Sequence, residues 1–195
     1  MLPQLTVNSP NADRRLTLEE FNRLPSNGDF EHHELLEGEL IVVRGVPRIP
    51  HQEVCSRIHA LLIRQVQEPG HGLVFSNPTG IVLGRDTVVK PDALVALREN
   101  YGILEDDCIY GPPDLVVEVL SPGTARHDLV AKRAVYERYG IREYWVVDLK
   151  TRTLLQLVLD GGRYRETRHA ADAVFRAAFR AEVEVRVADI WPVPR

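Results

Sequence analysis

The chain has 195 residues, 44% of them hydrophobic and 27% charged, enough for a globular core without covalent staples. Its formal net charge of −4 speaks against a non-specific nucleic-acid coat protein, which would be basic, but leaves room for a carboxylate-rich metal site beside a local basic stripe. Two cysteines, Cys55 and Cys108, exclude a disulfide framework and a CxxC zinc site. No apolar run has the length of a membrane span or the character of a signal peptide, so a soluble, cytoplasmic protein is expected.

Residues 1–15 mix Pro, Asn, Ser and Asp with little periodicity and read as a flexible arm, with a single domain over 16–195. Thr17 and Glu20 predict a capping box for a short helix, "LEEFNRLP", ended by Pro25, Asn27 and Gly28. "FEHHELLEGELIVV" (30–43) predicts a hairpin turning at Glu37-Gly38. From His51 to Glu68 the residues Val54, Ile58, Leu61, Leu62 and Val66 fall near one helical face, and Pro69-Gly70 stops the helix. His51 and Cys55 share a face of it. With no second pair of ligands, packing is the reading for Cys55 and simple exposure the one for His51.

Strand-like runs follow at 73–83, 87–97 and 113–122. Gly84-Arg85-Asp86 is a hairpin turn by composition, and Pro91 marks an edge or a bulge. Residues 98–112 read as a long polar loop. A helix is predicted over 125–139, with Thr124 as N-cap and Gly140 as stop. "EYWVVDL" and "TLLQLVL" read as strands, Gly161-Gly162 as a turn and "AEVEVRVADI" as a last strand. This order predicts a mixed α/β fold with one sheet and helices packed against it. "PDLVVEVL", the following helix and "EYWVVDL" form a right-handed βαβ crossover, so part of the sheet is parallel.

One residue of the run 113–122 stands out. Glu118 lies among Leu115, Val116, Val117, Val119 and Leu120. A strand apolar on both faces is wrapped on both sides, and an ionised carboxylate there is costly unless paired or bound to a metal. Asp114 is on the same face but roughly 13 Å along the strand, too far to share an ion whose ligands stand roughly 2–2.6 Å away. Asp92, in "TVVKPDALVAL", is the better partner if the two strands are neighbours. Asp128, Lys132 and Tyr136 share a face of the next helix, and Lys132 can reach the same point if that face packs over the strand.

These residues lie in a pattern that resembles the Uma2 family of restriction-endonuclease-like proteins, within the PD-(D/E)xK nuclease superfamily. The matching stretches are "LTLEEFNRLP", "HELLEGEL", "HQEV", "VVKPDALV", "PPDLVVEVLSPGTARHDLVAKRAVYERYGIREYWVVDLK" and "GGRY", in order from about 16 to 165. The resemblance implies a restriction-endonuclease-like mixed β-sheet of four core strands flanked by α-helices. It also implies Mg²⁺- or Mn²⁺-dependent hydrolysis of phosphodiester bonds in DNA. Pro91-Asp92 matches the PD and Glu118 the (D/E), so Asp92 and Glu118 would hold the metal. Leu120 stands where the motif lysine belongs, and the resemblance assigns that role to Lys132. Glu34 matches an auxiliary acid, with Glu37 its rival.

Other readings stand beside these. Glu118 is neutralised by an internal base in the bland case, and Asp128 and Lys132 form a surface ion pair. Asp114 caps a turn, and Tyr136 and Trp145 pack. Arg126, Arg133 and Arg138 form either a phosphate-facing stripe or a solvated face. The function expected is a metal-dependent endonuclease, with a homodimer suggested by the need to cut two strands. The alternative is a nuclease-fold module that binds or assembles without cutting, which Leu120 and the negative net charge favour.

Overall fold

The computed structural model describes residues 6–10, 13–25, 31–121, 125 and 127–192. The N-terminal elements are β1 (Thr6–Asn8), α1 (Leu18–Asn22), β2 (Glu31–Leu36), β3 (Glu39–Arg44) and α2 (Ile49–Leu62), which runs on into a π-helical turn, Ile63–Gln67. Thr17 and Glu20 form the expected capping box on α1, while Asn27 and Gly28 lie outside the described residues. Glu37 (φ 49) and Gly38 (φ 82) make the β2–β3 turn, the pair of positive φ angles that suits a two-residue hairpin. A Cβ on Gly38 would also stand 3.0 Å from that of Arg15. Within the stretch read as a flexible arm, Thr6–Asn8 pair antiparallel with β3. Backbone pairing over so few residues leaves no periodic signature.

The runs at 73–83 and 87–97 are each broken in two, giving β4 (Gly72–Ser76), β5 (Ile81–Gly84), β6 (Thr87–Val89) and β7 (Ala93–Leu97). β5 and β6 form the expected hairpin, but β4 and β7 pair with each other in a different sheet. Pro91 therefore marks a passage between sheets, where a residue without an N–H costs the ladder nothing. The presumed polar loop holds a 3₁₀ helix, Arg98–Ile103, and β8 (Ile109–Tyr110), which pairs parallel with β5.

β9 (Leu115–Val119) is followed by a π-helical turn, His127–Lys132, that continues into α3 (Arg133–Arg138). Gly140, at φ 80, stops it; Thr124, the expected N-cap, lies outside the described residues. Then come β10 (Glu143–Asp148), β11 (Thr153–Asp160), β12 (Arg163–His169) and a small hairpin, β13 (Val174–Arg176) with β14 (Glu184–Arg186).

Among the described residues the fold is mixed α/β, but with two six-stranded sheets and a two-stranded one rather than a single sheet. The orders of the six-stranded sheets are β1-β3-β2-β6-β5-β8 and β12-β11-β10-β9-β7-β4. β9 and β10 are parallel, as the crossover requires. The second sheet is covered on both faces. Val54, Ile58 and Leu62 of α2, with Phe175 and Phe179, pack against Val95, Val117 and Trp145. On the other face Leu94, Val116, Tyr144 and Val146 meet Val135 and Tyr136 from the helix and Ile41, Val43 and Val89 from the first sheet. Trp145 packs as expected, edge-on to Phe175. All five residues of β9 are buried, so Glu118 needs partners. The burial of Glu143 was not anticipated: it accepts hydrogen bonds from the indole N–H of Trp145, the amide of Gln156 and the backbone N–H of Phe179. It ties β10 and β11 to the C-terminal segment.

Candidate functional site

β7 and β9 are antiparallel, with Ala93 opposite Val117 and Leu94 opposite Val116. Continuing that register sets Asp92 opposite Glu118, at the end of the ladder where β7 begins. There Asp92 Oδ2 accepts the N–H of Val119 at 2.7 Å. Both acids line a cavity of about 490 Å³, shared with Glu34 from β2 and with His127, Asp128 and Lys132 from the π-helical turn. All four residues singled out from the sequence, Glu34, Asp92, Glu118 and Lys132, are thus brought to one place.

Lys132 is the hub. Its Nζ donates to Glu118 Oε1 at 2.8 Å, stands 2.9 Å from Glu34 Oε1 and lies 3.8 Å from Asp128 Oδ1. Glu118 Oε1 also accepts the hydroxyl of Tyr136 at 2.9 Å, so Tyr136 holds the site as well as packing. Asp128 is only 3% exposed. Asp128 and Lys132 are therefore a buried pair, not the surface pair that their spacing allows. The expansion of this stretch into a π-helical turn accompanies that inward placement, and such expansions are frequent at functional sites.

Five carboxylates, Glu31, Glu34, Asp92, Glu118 and Asp128, line this cavity with two lysines, Lys90 and the hub Lys132, and Glu34, Glu118 and Asp128 surround the Lys132 ammonium. The imbalance appears in their ionisation. Burial raises the Glu118 carboxyl well above the usual range; Lys132 opposes that, and the charges of Asp128, Asp92 and Glu34 add to it. Burial works against Glu34 too, but Lys132, His127 and the N–H of Lys90 outweigh it and hold that carboxyl down at about 2. The Lys90 N–H donates to Glu34 Oε1 at 2.7 Å. Glu34 Oε2 and His127 Nε2 lie 3.6 Å apart, and both are buried without a hydrogen bond among the described residues. Polar atoms in that condition at a cavity wall suit a further polar or cationic occupant.

His51 is buried, not exposed. Its Nε2 stands 3.4 Å from Asp92 Oδ2, and its Nδ1 stands 3.4 Å from Cys55 Sγ. Burial disfavours the charged ring, but Asp92 outweighs it and pulls the His51 pKa up. Burial and the charges of Asp92 and Glu118 push the Cys55 thiol up. One ligand atom from each of His51, Cys55 and Asp92 falls within 4.8 Å of the others, a group able to hold a metal ion. The spacing of His51 and Cys55 is legible in the sequence, but nothing local announces that Asp92 completes the group.

The other candidates lie elsewhere. Glu37 sits exposed at the hairpin turn, in an ion pair with Arg138, so Glu34 and not its rival reaches the cavity. Arg133 pairs with Glu166, and Arg126 lies outside the described residues. Arg133 and Arg138 are thus engaged with surface acids rather than aligned along the cavity. Asp114 accepts from the N–H of Leu97 and the amide of Asn100, holding the start of the 3₁₀ helix against β9 rather than capping a turn of its own.

A mixed sheet thus carries carboxylates and a lysine to one cavity. The solved structure of "a putative nuclease belonging to DUF820" from Anabaena variabilis shares this fold, with a TM-score of 0.74 at 20% identity over 90% of this chain and 97% of that one. Residues 18–188 match the Uma2 family, whose description is "Putative restriction endonuclease". The chain belongs to the Uma2 family, and its function is nuclease-like on that ground. No curated protein matches it. Among the described residues no helix is long and apolar enough to cross a membrane.

Proposed function

We propose that the protein is a metal-dependent endonuclease that hydrolyses phosphodiester bonds in DNA. The observation that carries this reading is the placement of Asp92 opposite Glu118 at one cavity, with Lys132 bound to Glu118 at 2.8 Å. Two carboxylates from adjacent strands, each engaged by protein donors on only part of its lone-pair capacity, are a donor set that suits Mg²⁺ or Mn²⁺. The surplus of negative charge around Lys132 also favours a cation there. Asp92 and Glu118 would hold the ion, which when bound polarises a phosphate and lowers the pKa of a water.

The chain's own groups do the rest. Glu34 stays ionised across the neutral range and pins the Lys132 ammonium in place. Lys132 offers its remaining N–H to the attacking water or to the phosphate oxygen on which charge builds. Tyr136 fixes the rotamer of Glu118 from below. The missing motif lysine after Glu118 is replaced in space by one from the following helix. That supports a working site over the module that binds without cutting.

The test is cleavage of plasmid and oligonucleotide DNA in Mg²⁺, Mn²⁺ or EDTA, beside Glu118→Gln and Lys132→Ala. Metal-dependent cutting lost in both variants is expected. Cutting that survives Glu118→Gln would be a contaminant's, and loss in Glu118→Gln alone would remove Lys132 from the mechanism. No cutting of any substrate by the parent protein would return the reading to a binding module.

A further inference from the structure

The ion expected at Asp92 is a hard one with oxygen ligands, yet this wall of the cavity presents nitrogen and sulfur. α2 places His51 and Cys55 four residues apart on one face. Asp92 arrives from the passage between sheets and meets the imidazole from the other side. The ring stands 3.4 Å from the sulfur and 3.4 Å from the carboxylate oxygen. One ligand atom from each of the three residues lies within 4.8 Å of the rest, and all three line the cavity. A network built only for packing would not need to open onto the site.

We infer that His51, Cys55 and Asp92 form a binding site for a borderline divalent ion such as Zn²⁺ or Co²⁺, with the Cys55 sulfur as a ligand. This rests on the reading of Asp92 as a metal ligand and adds a second, softer class of ion that the same carboxylate serves. Imidazole and thiolate suit Zn²⁺ and Co²⁺, whereas Mg²⁺ takes oxygen ligands and keeps its waters. Three protein ligands of mixed type at a cavity wall leave a position open, the pattern of a catalytic rather than a closed structural site. The ring offers one of its two nitrogens to the ion. The thiol gives its proton to water as the sulfur takes the ion, with no change of oxidation state.

The experiment titrates Co²⁺ into the full chain after EDTA treatment, followed by absorption. Bound cobalt shows visible d–d bands, and thiolate ligation adds a near-ultraviolet charge-transfer band. Both are expected to saturate together in the parent protein. Cys55→Ser should lose the near-ultraviolet band and weaken Co²⁺ by at least about tenfold, the smallest effect expected of a ligand when outer partners already contribute that much. Mg²⁺ affinity by calorimetry should stay within about twofold, since that ion takes oxygen. Cys108→Ser, whose sulfur donates to the Gly80 carbonyl instead, should leave the spectrum unchanged. Circular dichroism checks that each variant folds. The d–d bands without the near-ultraviolet band, with binding abolished by Asp92→Asn, would overturn the sulfur ligand and leave the proposed nuclease site intact. A near-ultraviolet band that persists in Cys55→Ser would also overturn it. Absence of both Co²⁺ and Mg²⁺ binding would overturn this inference and the metal-dependent reading together.

Discussion

Replacing Lys132 with methionine keeps most of the aliphatic stem and removes the ammonium. In the folded protein that ammonium lies 2.8 Å from Glu118, 2.9 Å from Glu34 and 3.8 Å from Asp128, with only 4% of the residue exposed. A surface lysine in an ion pair is worth about 0–1 kcal/mol. Breaking a buried pair costs about 3–5 kcal/mol, because the charge left behind has neither water nor partner. Here several carboxylates lose one cation, so the upper part of that range is expected for the metal-free protein. With a urea dependence of about 2 kcal/mol per molar, the unfolding midpoint should fall by about 2–2.5 M.

The loss also has a direction in pH. Carboxylates stripped of Lys132 titrate higher in the folded state than in the unfolded chain. Their protonation then stabilises the fold below the unfolded pKa, and that contribution disappears as pH rises through the folded one. The deficit should be larger at pH 8 than at pH 5. Adding Glu118→Gln to the variant should restore part of the midpoint at pH 8. Urea unfolding of the metal-free proteins at both pH values reads this directly. A loss below about 1 kcal/mol, the scale of a surface pair, or one independent of pH, would refute the buried hub.

Other consequences follow from single residues. Glu34, held at about 2 against an ordinary 4.5, should contribute about 3 kcal/mol above pH 4.5 that is lost as pH falls through about 2. Acid unfolding of Glu34→Gln should lack that steep segment. Glu118 adds no slope in this window, because its raised pKa leaves it protonated in both states there. Glu143→Ala should cost about 3 kcal/mol or more by thermal or urea unfolding. The N–H groups of Trp145, Gln156 and Phe179 lose their acceptor, and a buried unsatisfied donor costs about 1–3 kcal/mol. Gly38→Ala should destabilise by about 1 kcal/mol or more, since φ 82 disfavours a Cβ and Arg15 is in its way. Urea unfolding checks it.

Much of this protein is determined by the sequence alone. Local signals place the capping box at Thr17, the hairpin at Glu37-Gly38 and the amphipathic run of α2, because each depends on neighbours a few residues away. The βαβ unit is legible too, since a continuously apolar strand, a helix and another such strand have one favoured hand. Glu118 is conspicuous because a charge in an apolar run is conspicuous without any structure, and Asp92 and Lys132 follow from the pattern around it. Only the tertiary structure decides that the runs at 73–83 and 87–97 divide between two sheets. Period and propensity describe a strand's faces but not its partners. The same limit hides His51 and Cys55, whose shared face is visible but whose third member comes from the other side of a sheet crossing. Asp128 and Lys132 have a spacing that fits a solvated pair as well as a buried one. What buries them is the first sheet closing over the helix, a contact made between residues distant in the chain.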